Sequence, residues 1–126
     1  MKVAYVDTSC VVAIALGEPG SGALLRRLKT FDDLVSSNLL EAEVLAAFAR
    51  ERVDPDPGIL RDIAWILPER PLHDEIARVL FNGYLRGADC WHLATALFFA
   101  PEPSSIAFLT LDGRQRALAR ALGFSE

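Results

Sequence analysis

Four acidic positions in this sequence stand where backbone geometry can give them a common edge. "VAYVDTS" runs from apolar, strand-forming residues into Asp7, and "FLTLD" near the other end runs in the same way into Asp112. Both apolar runs read as buried strands, so each acid falls at a strand's carboxyl tip. Parallel strands bring such tips to one edge, where open α/β sheets bind their ligands. The strand "DLVSS" feeds a helix carrying Glu41 and Glu43, whose first turns face that edge, and Asp89 opens the apolar helix "ADCWHLATALFFA" beside Gly87. Carboxylates held together repel one another and resist ionisation unless a cation sits among them. Hard oxygen ligands suit Mg²⁺ or Mn²⁺, which activate water and stabilise the charge of a phosphoryl transition state, often as a pair about 4 Å apart.

Each acid also has a local explanation. Asp7, Thr8 or Ser9 can cap a helix that starts near Ser9, Asp89 can cap its own helix, and Glu43 and Asp112 can be surface charges. Four such coincidences at one edge are harder to accept than one shared site. No Cys or His arrangement competes as a ligand set. Cys10 and Cys90 lie in apolar surroundings without a CxxC spacing and read as buried free thiols. His92, one turn after Asp89, reads as a hydrogen-bonded core histidine, and His73 as a helix-start residue.

The elements that must position these acids follow from periodicity and punctuation. Strands are expected at 2–7, 33–37 and 106–111. Helices are expected at 9–16, 20–30, 38–52 (capped by Asn38 or Ser37), 57–66, 73–85 and 88–100, with a closing amphipathic helix "GRQRALARALGF" that has Gly123 past its end. "DPDPG" breaks the chain, and "ILPERPL" reads as an extended connection or short strand. Strands alternating with helices give an α/β fold, a three-layer α/β/α sandwich around a central, mainly parallel sheet. The 126 residues amount to one domain, 1–126. With 52% hydrophobic and 24% charged residues the chain is expected to be soluble. No apolar run reaches the roughly 18 residues of a membrane span, and no signal peptide is evident, so a cytoplasmic setting is expected.

The net charge of −4 argues weakly against a broad nucleic-acid-binding face, but the basic residues cluster. Only Lys2 and Lys29 are lysines; arginines group at Arg26/Arg27, Arg50/Arg52 and Arg114/Arg116/Arg120. The plainer reading is solvated helix faces, with bidentate phosphate gripping as the alternative.

The pieces "YVDTSCVVAI", "SSNLLEAEVLAAF", "LRGADCWHLATAL" and "FLTLDGRQRALARALGF" together resemble a PIN-domain ribonuclease of the VapC toxin type, in the family's order and across almost the whole chain. The most specific are "VDTS" and "RGADCWHLATA". The resemblance implies a PIN-like sandwich and metal-dependent endonuclease activity on RNA, with tRNA or rRNA as substrate. It also implies a small VapB-like antitoxin partner encoded alongside. It matches Asp7, Glu43, Asp89 and Asp112 to the four metal and catalytic carboxylates, and Thr8 or Ser9 to the hydroxyl beside the first. Cys90 stands where the family often has alanine, and any final strand after Gly123 must be very short. At about 100° per residue, Glu41 and Glu43 point about 200° apart, so one helix can aim only one at the site; the match to "AEVLAAF" favours Glu43.

A homodimer is expected, with apolar helices carrying Trp65, Phe98 and Phe99 as candidate surfaces. Two alternatives compete: a phosphorylatable receiver-like signalling domain, which needs a lysine at a late strand end that this chain does not supply, and a PIN fold kept as a catalytically inactive binding module, which four intact carboxylates argue against.

Overall fold

Successive side chains of "VAYV" alternate between the two faces of β1 (Val3–Val6). Ala4 and Val6 enter one apolar cluster and Tyr5 the other. A strand covered on both faces needs apolar residues at every position, hence the continuous run. β2 (Asp33–Ser37), β3 (Ile63–Ile66) and β4 (Ala107–Leu109) complete a four-stranded parallel sheet in the order β3-β2-β1-β4. Phe108 of β4 stacks on Tyr5 with ring centroids 5.1 Å apart. The computed structural model describes residues 1–54, 56 and 58–126.

Helices cover both faces, giving the expected three layers. On the Ala4/Val6 side, α1 (Thr8–Ala15), α2 (Ser21–Leu28) and α3 (Leu39–Glu51) contribute Cys10, Val11, Leu28, Leu40, Val44 and Phe48. After the single turn α4 (Gly58–Arg61), helices α5 (His73–Asn82), α6 (Gly87–Phe99) and α7 (Gly113–Leu122) pack on the Tyr5 side through residues such as Val79, Leu93, Leu97 and Leu118. Helix α6 is buried on most sides, as its apolar composition requires. Gly123, at φ 104°, makes the left-handed turn that ends α7 and lets Phe124 N–H reach Ala119 O at 3.1 Å. Beyond it Ser125 bridges to Ala107. Both cysteines are buried and free.

The helix expected at 57–66 is a correction. Only Gly58–Arg61 is helical; Ile63–Ile66 is strand β3, in register with β2 from Leu34↔Ile63 to Ser37↔Ile66. Pairing with a neighbouring strand decided what a four-residue apolar run could not. Pro57, the start of that expected helix, and Pro55 of "DPDPG" lie outside the described residues. Trp65 therefore belongs to a strand rather than a helix and is half-buried, as is Phe98, while Phe99 is exposed. The most exposed aromatics are instead Phe81 (91%) and Tyr84 (69%), on and just after α5.

The strand order fixes where a site can form. The chain steps from β1 to β2 to β3 in one direction, then returns to lay β4 on the other side of β1. The crevice at such a reversal, beyond the carboxyl ends of β1 and β4, is the ligand position of open α/β sheets. Asp7 directly follows β1 and Asp112 follows β4 by three residues.

Candidate functional site

Asp7 is a helix cap that stands at the candidate site. It is the N-cap of α1, and its Oδ2 accepts from the Ser9 amide at 3.0 Å and the Ser9 hydroxyl at 2.6 Å. Its Oδ1 accepts from Gln115 Nε2 at 3.2 Å. A carboxylate only 4% exposed is thus held by neutral donors, without an arginine or lysine partner among the described residues. Of the two candidate hydroxyls, Ser9 serves Asp7, while Thr8 Oγ1 donates to Glu43 Oε1 at 2.8 Å. Asp112 likewise caps α7, accepting from the Gln115 amide at 2.8 Å. Ser37, rather than Asn38, supplies the side-chain bond at the start of α3, accepting from Leu39 N–H at 3.1 Å.

Glu43 turns inward and Glu41 outward. Glu41 is exposed in the first turn of α3. Glu43 Oε1 accepts from Thr8 and lies 2.7 Å from His92 Nε2. Burial pushes its carboxyl up, but the hydrogen bonds from His92 and Thr8 outweigh this and hold it below the usual range. Asp89, in the first turn of α6, behaves oppositely. Burial, followed by the charges of Asp7 and Asp112, raises its carboxyl above the ordinary value. Mutual repulsion of this kind is the electrostatic sign of acids gathered around one point.

The expected acids thus gather at one edge of the sheet, although among the described residues no three His, Cys, Asp or Glu side chains are drawn close enough to hold a metal ion. An open cleft of about 480 Å³ runs beside them, lined by Thr8, Ser9, Glu43, Arg50, Leu111 and Asp112. Its arginine is Arg50, not Arg86 or Arg114, the two nearest the site acids in sequence. Cys10 offers no competing nucleophile: burial, aided by the Asp7 charge, pushes its thiol up to about 12.

Two site neighbours were not singled out from sequence. Gln115 is fully buried; its Nε2 donates to Asp7 Oδ1 and Asp89 O, and its Oε1 accepts from Thr110 Oγ1 at 2.6 Å. The signal was available, because Gln115 lies one helical turn before Leu118 and Ala119, on the buried stripe of α7. Thr110, just past β4, closes the same network. Gln115→Leu keeps the volume but takes the donor from Asp7 Oδ1, while the Thr110 hydroxyl can still turn to Asp7 Oδ2 at 3.3 Å. It is expected to cost about 1–3 kcal/mol, read as a lower denaturation midpoint.

Known protein families add a class to this geometry. Residues 4–121 match the PIN domain, and the chain belongs to that family. It is 33% identical over 129 residues to Ribonuclease VapC46 of Mycobacterium tuberculosis (strain ATCC 25618 / H37Rv), an alignment spanning 99% of this chain and 96% of the relative. The family expected from "YVDTSC" and "RGADCWHLATA" is therefore the family found. No helix among the described residues is long and apolar enough to cross a membrane.

Proposed function

We propose that the protein is a metal-dependent endoribonuclease toxin of the VapC type, hydrolysing phosphodiesters at the edge where Asp7, Glu43, Asp89 and Asp112 gather. The observation that carries this reading is the gathering of Asp7, Glu43, Asp89 and Asp112 at the edge beyond β1 and β4, with no arginine or lysine ion-paired to them among the described residues. An all-oxygen donor set short of positive charge fits a hard divalent cation, Mg²⁺ or Mn²⁺, with Asp7, Asp89, Asp112 and Glu43 as its holders. Such a cation, when bound, supplies a lowered water pKa and charge neutralisation at phosphorus. The chain's own contribution is positional. Ser9 and Gln115 fix both oxygens of Asp7, Thr8 and His92 fix Oε1 of Glu43, and Arg50 lines the cleft where an adjacent phosphate can be gripped. The receiver-like alternative loses its basis, since Lys2 and Lys29 precede β1 and β2, at the amino ends of the strands.

RNA is the substrate, in the tRNA or rRNA class, and a small VapB-like antitoxin the protein partner, on the strength of the family and of the named relative. A cytoplasmic setting and a homodimer go with the same reading; exposed Phe81 and Tyr84 offer the dimer an apolar surface. Incubation with total RNA is the test. Cleavage restored by Mg²⁺ or Mn²⁺, leaving 5′-phosphate and 3′-hydroxyl ends, is expected. Cyclic phosphate ends, or full cleavage in excess EDTA, would overturn the reading.

A thermal measurement isolates the cation. Because its carboxyl is raised, Asp89 contributes nothing unfavourable below the unfolded value and a full penalty above the folded one, so it makes the cation-free protein less stable as pH rises between them. Glu43 has the opposite sign: its contribution is present above the unfolded value and lost as pH falls through the lowered folded one. At neutral pH, Asp89→Asn should raise the cation-free melting temperature and remove the further rise that Mg²⁺ produces. For a site with a dissociation constant of about 1 mM, that rise corresponds to about 1.4 kcal/mol at about 10 mM cation. An undiminished Mg²⁺ effect in the variant would exclude Asp89 from the site.

A further inference from the structure

Tyr5 and His92, 87 residues apart, form a buried chain that ends on a site carboxylate. Tyr5 Oη accepts from the Ser37 amide at 3.1 Å and lies 2.7 Å from His92 Nδ1; His92 Nε2 lies 2.7 Å from Glu43 Oε1. Neither Tyr5 nor His92 is exposed at all. For a neutral imidazole the hydrogen count along this chain has one good solution. Burial raises the Tyr5 hydroxyl far above its usual range, so it keeps its proton. One lone pair of Oη is taken by Ser37 N–H, and the proton is free to go to His92 Nδ1. The ring then carries its hydrogen on Nε2, aimed at Glu43. In the other tautomer the Nε2 lone pair would face the carboxylate across 2.7 Å, acceptor against acceptor.

We propose that Tyr5 sets the tautomer of His92 and that His92 is thereby a positioning residue, holding Glu43 by Oε1 so that Oε2 is left for the site. Thr8 donates to the same Oε1, and Oε2 has no hydrogen-bond partner among the described residues. Two donors on one oxygen fix the carboxylate plane. The chain is anchored away from the solvent edge, since the Tyr5 ring stacks on Phe108 and Ser37 Oγ accepts from Trp91 Nε1 at 3.0 Å. An imidazole oriented by one buried partner and aiming its second nitrogen at a carboxylate is a supporting arrangement whose loss typically costs about 10–100-fold in activity or metal affinity.

This inference rests on Glu43 being a site carboxylate, and a spectroscopic readout keeps the two separable. In the ¹⁵N-labelled protein, the ring nitrogens of His92 are expected to report one neutral tautomer with the hydrogen on Nε2. Tyr5→Phe, which retains the ring stacked on Phe108, should leave a mixture of tautomers and lower kcat about tenfold with KM unchanged. His92→Gln, whose amide can still donate to Glu43, should retain more activity than His92→Leu. In a Glu43→Gln background, His92→Leu should cost nothing further. A wild-type ring protonated on Nδ1, an unchanged tautomer and full kcat in Tyr5→Phe, or equal loss in the Gln and Leu variants would each overturn the relay. The expected tautomer in a protein that cleaves no RNA would leave the relay standing and remove the ribonuclease reading instead.

Discussion

Asp7→Asn is expected to lower RNA cleavage by more than about a hundredfold, beyond what loss of an outer supporting group costs, while the protein still folds. Asparagine keeps one acceptor oxygen, enough to cap α1 through the Ser9 amide. The difficulty lies on the other side of the carboxylate, where Gln115 Nε2 donates to Oδ1 at 3.2 Å. An asparagine amide turned that way sets donor against donor; turned the other way, it faces the Ser9 hydroxyl and amide. The first orientation loses one hydrogen bond, a cost of about 1 kcal/mol, and is preferred to the second, which faces both bonds from Ser9. Relief of the repulsion that raises Asp89 offsets part of it. The net stability change should therefore be small, whereas the charge that a cation requires is gone. Circular dichroism with a thermal scan, run beside the cleavage assay, separates the two effects. A variant that fails to fold would show that capping, not chemistry, is the principal task of Asp7.

What the sequence made legible follows from the reach of each signal. Asp7 and Asp112 were readable because a strand end and a helix cap are both local: the apolar run, the acid and the hydroxyls are neighbours. The parallel sheet and its two helical layers were readable from continuous apolar strands alternating with amphipathic helices. β3 was not, because "IAWI" is too short for a strand period to be told from a buried turn of helix, and its identity comes from pairing with β2. His92 was read as a hydrogen-bonded core histidine, and it is one; its partners Tyr5 and Glu43 lie 87 and 49 residues away, so no local pattern could show that the core bond ends in the site. Gln115 is 108 residues from Asp7, yet a polar side chain on the buried stripe of α7 was a local anomaly that pointed to a distant acceptor. Local chemistry named the acids, and long-range packing chose what holds them.

The pair Glu43 and Glu41 gives the sharpest single contrast, because the two residues share a helix and a chemistry and differ in direction. Glu43→Gln is expected to lower cleavage by more than about a hundredfold, and Glu41→Gln to leave it within about twofold. Glutamine at 43 keeps an oxygen for Thr8 and His92 to donate to, so the local bonds survive with a neutral acceptor in place of a charged one. Bonds to a charged acceptor contribute about 1.5–3 kcal/mol and neutral ones about 0.5–1.5, so with two such bonds the variant should lose about 2 kcal/mol of stability and remain folded. That loss has a pH signature. The lowered Glu43 carboxyl contributes stability above its unfolded value, so wild type and variant should differ at neutral pH and converge in acid, as the contribution disappears through the folded value. Glu41 is exposed on the outer side of α3, and its substitution should shift stability by no more than about 0.5 kcal/mol at any pH. Cleavage lost in Glu41→Gln and kept in Glu43→Gln would place the catalytic helix face two residues out of register and remove His92 from the site with it.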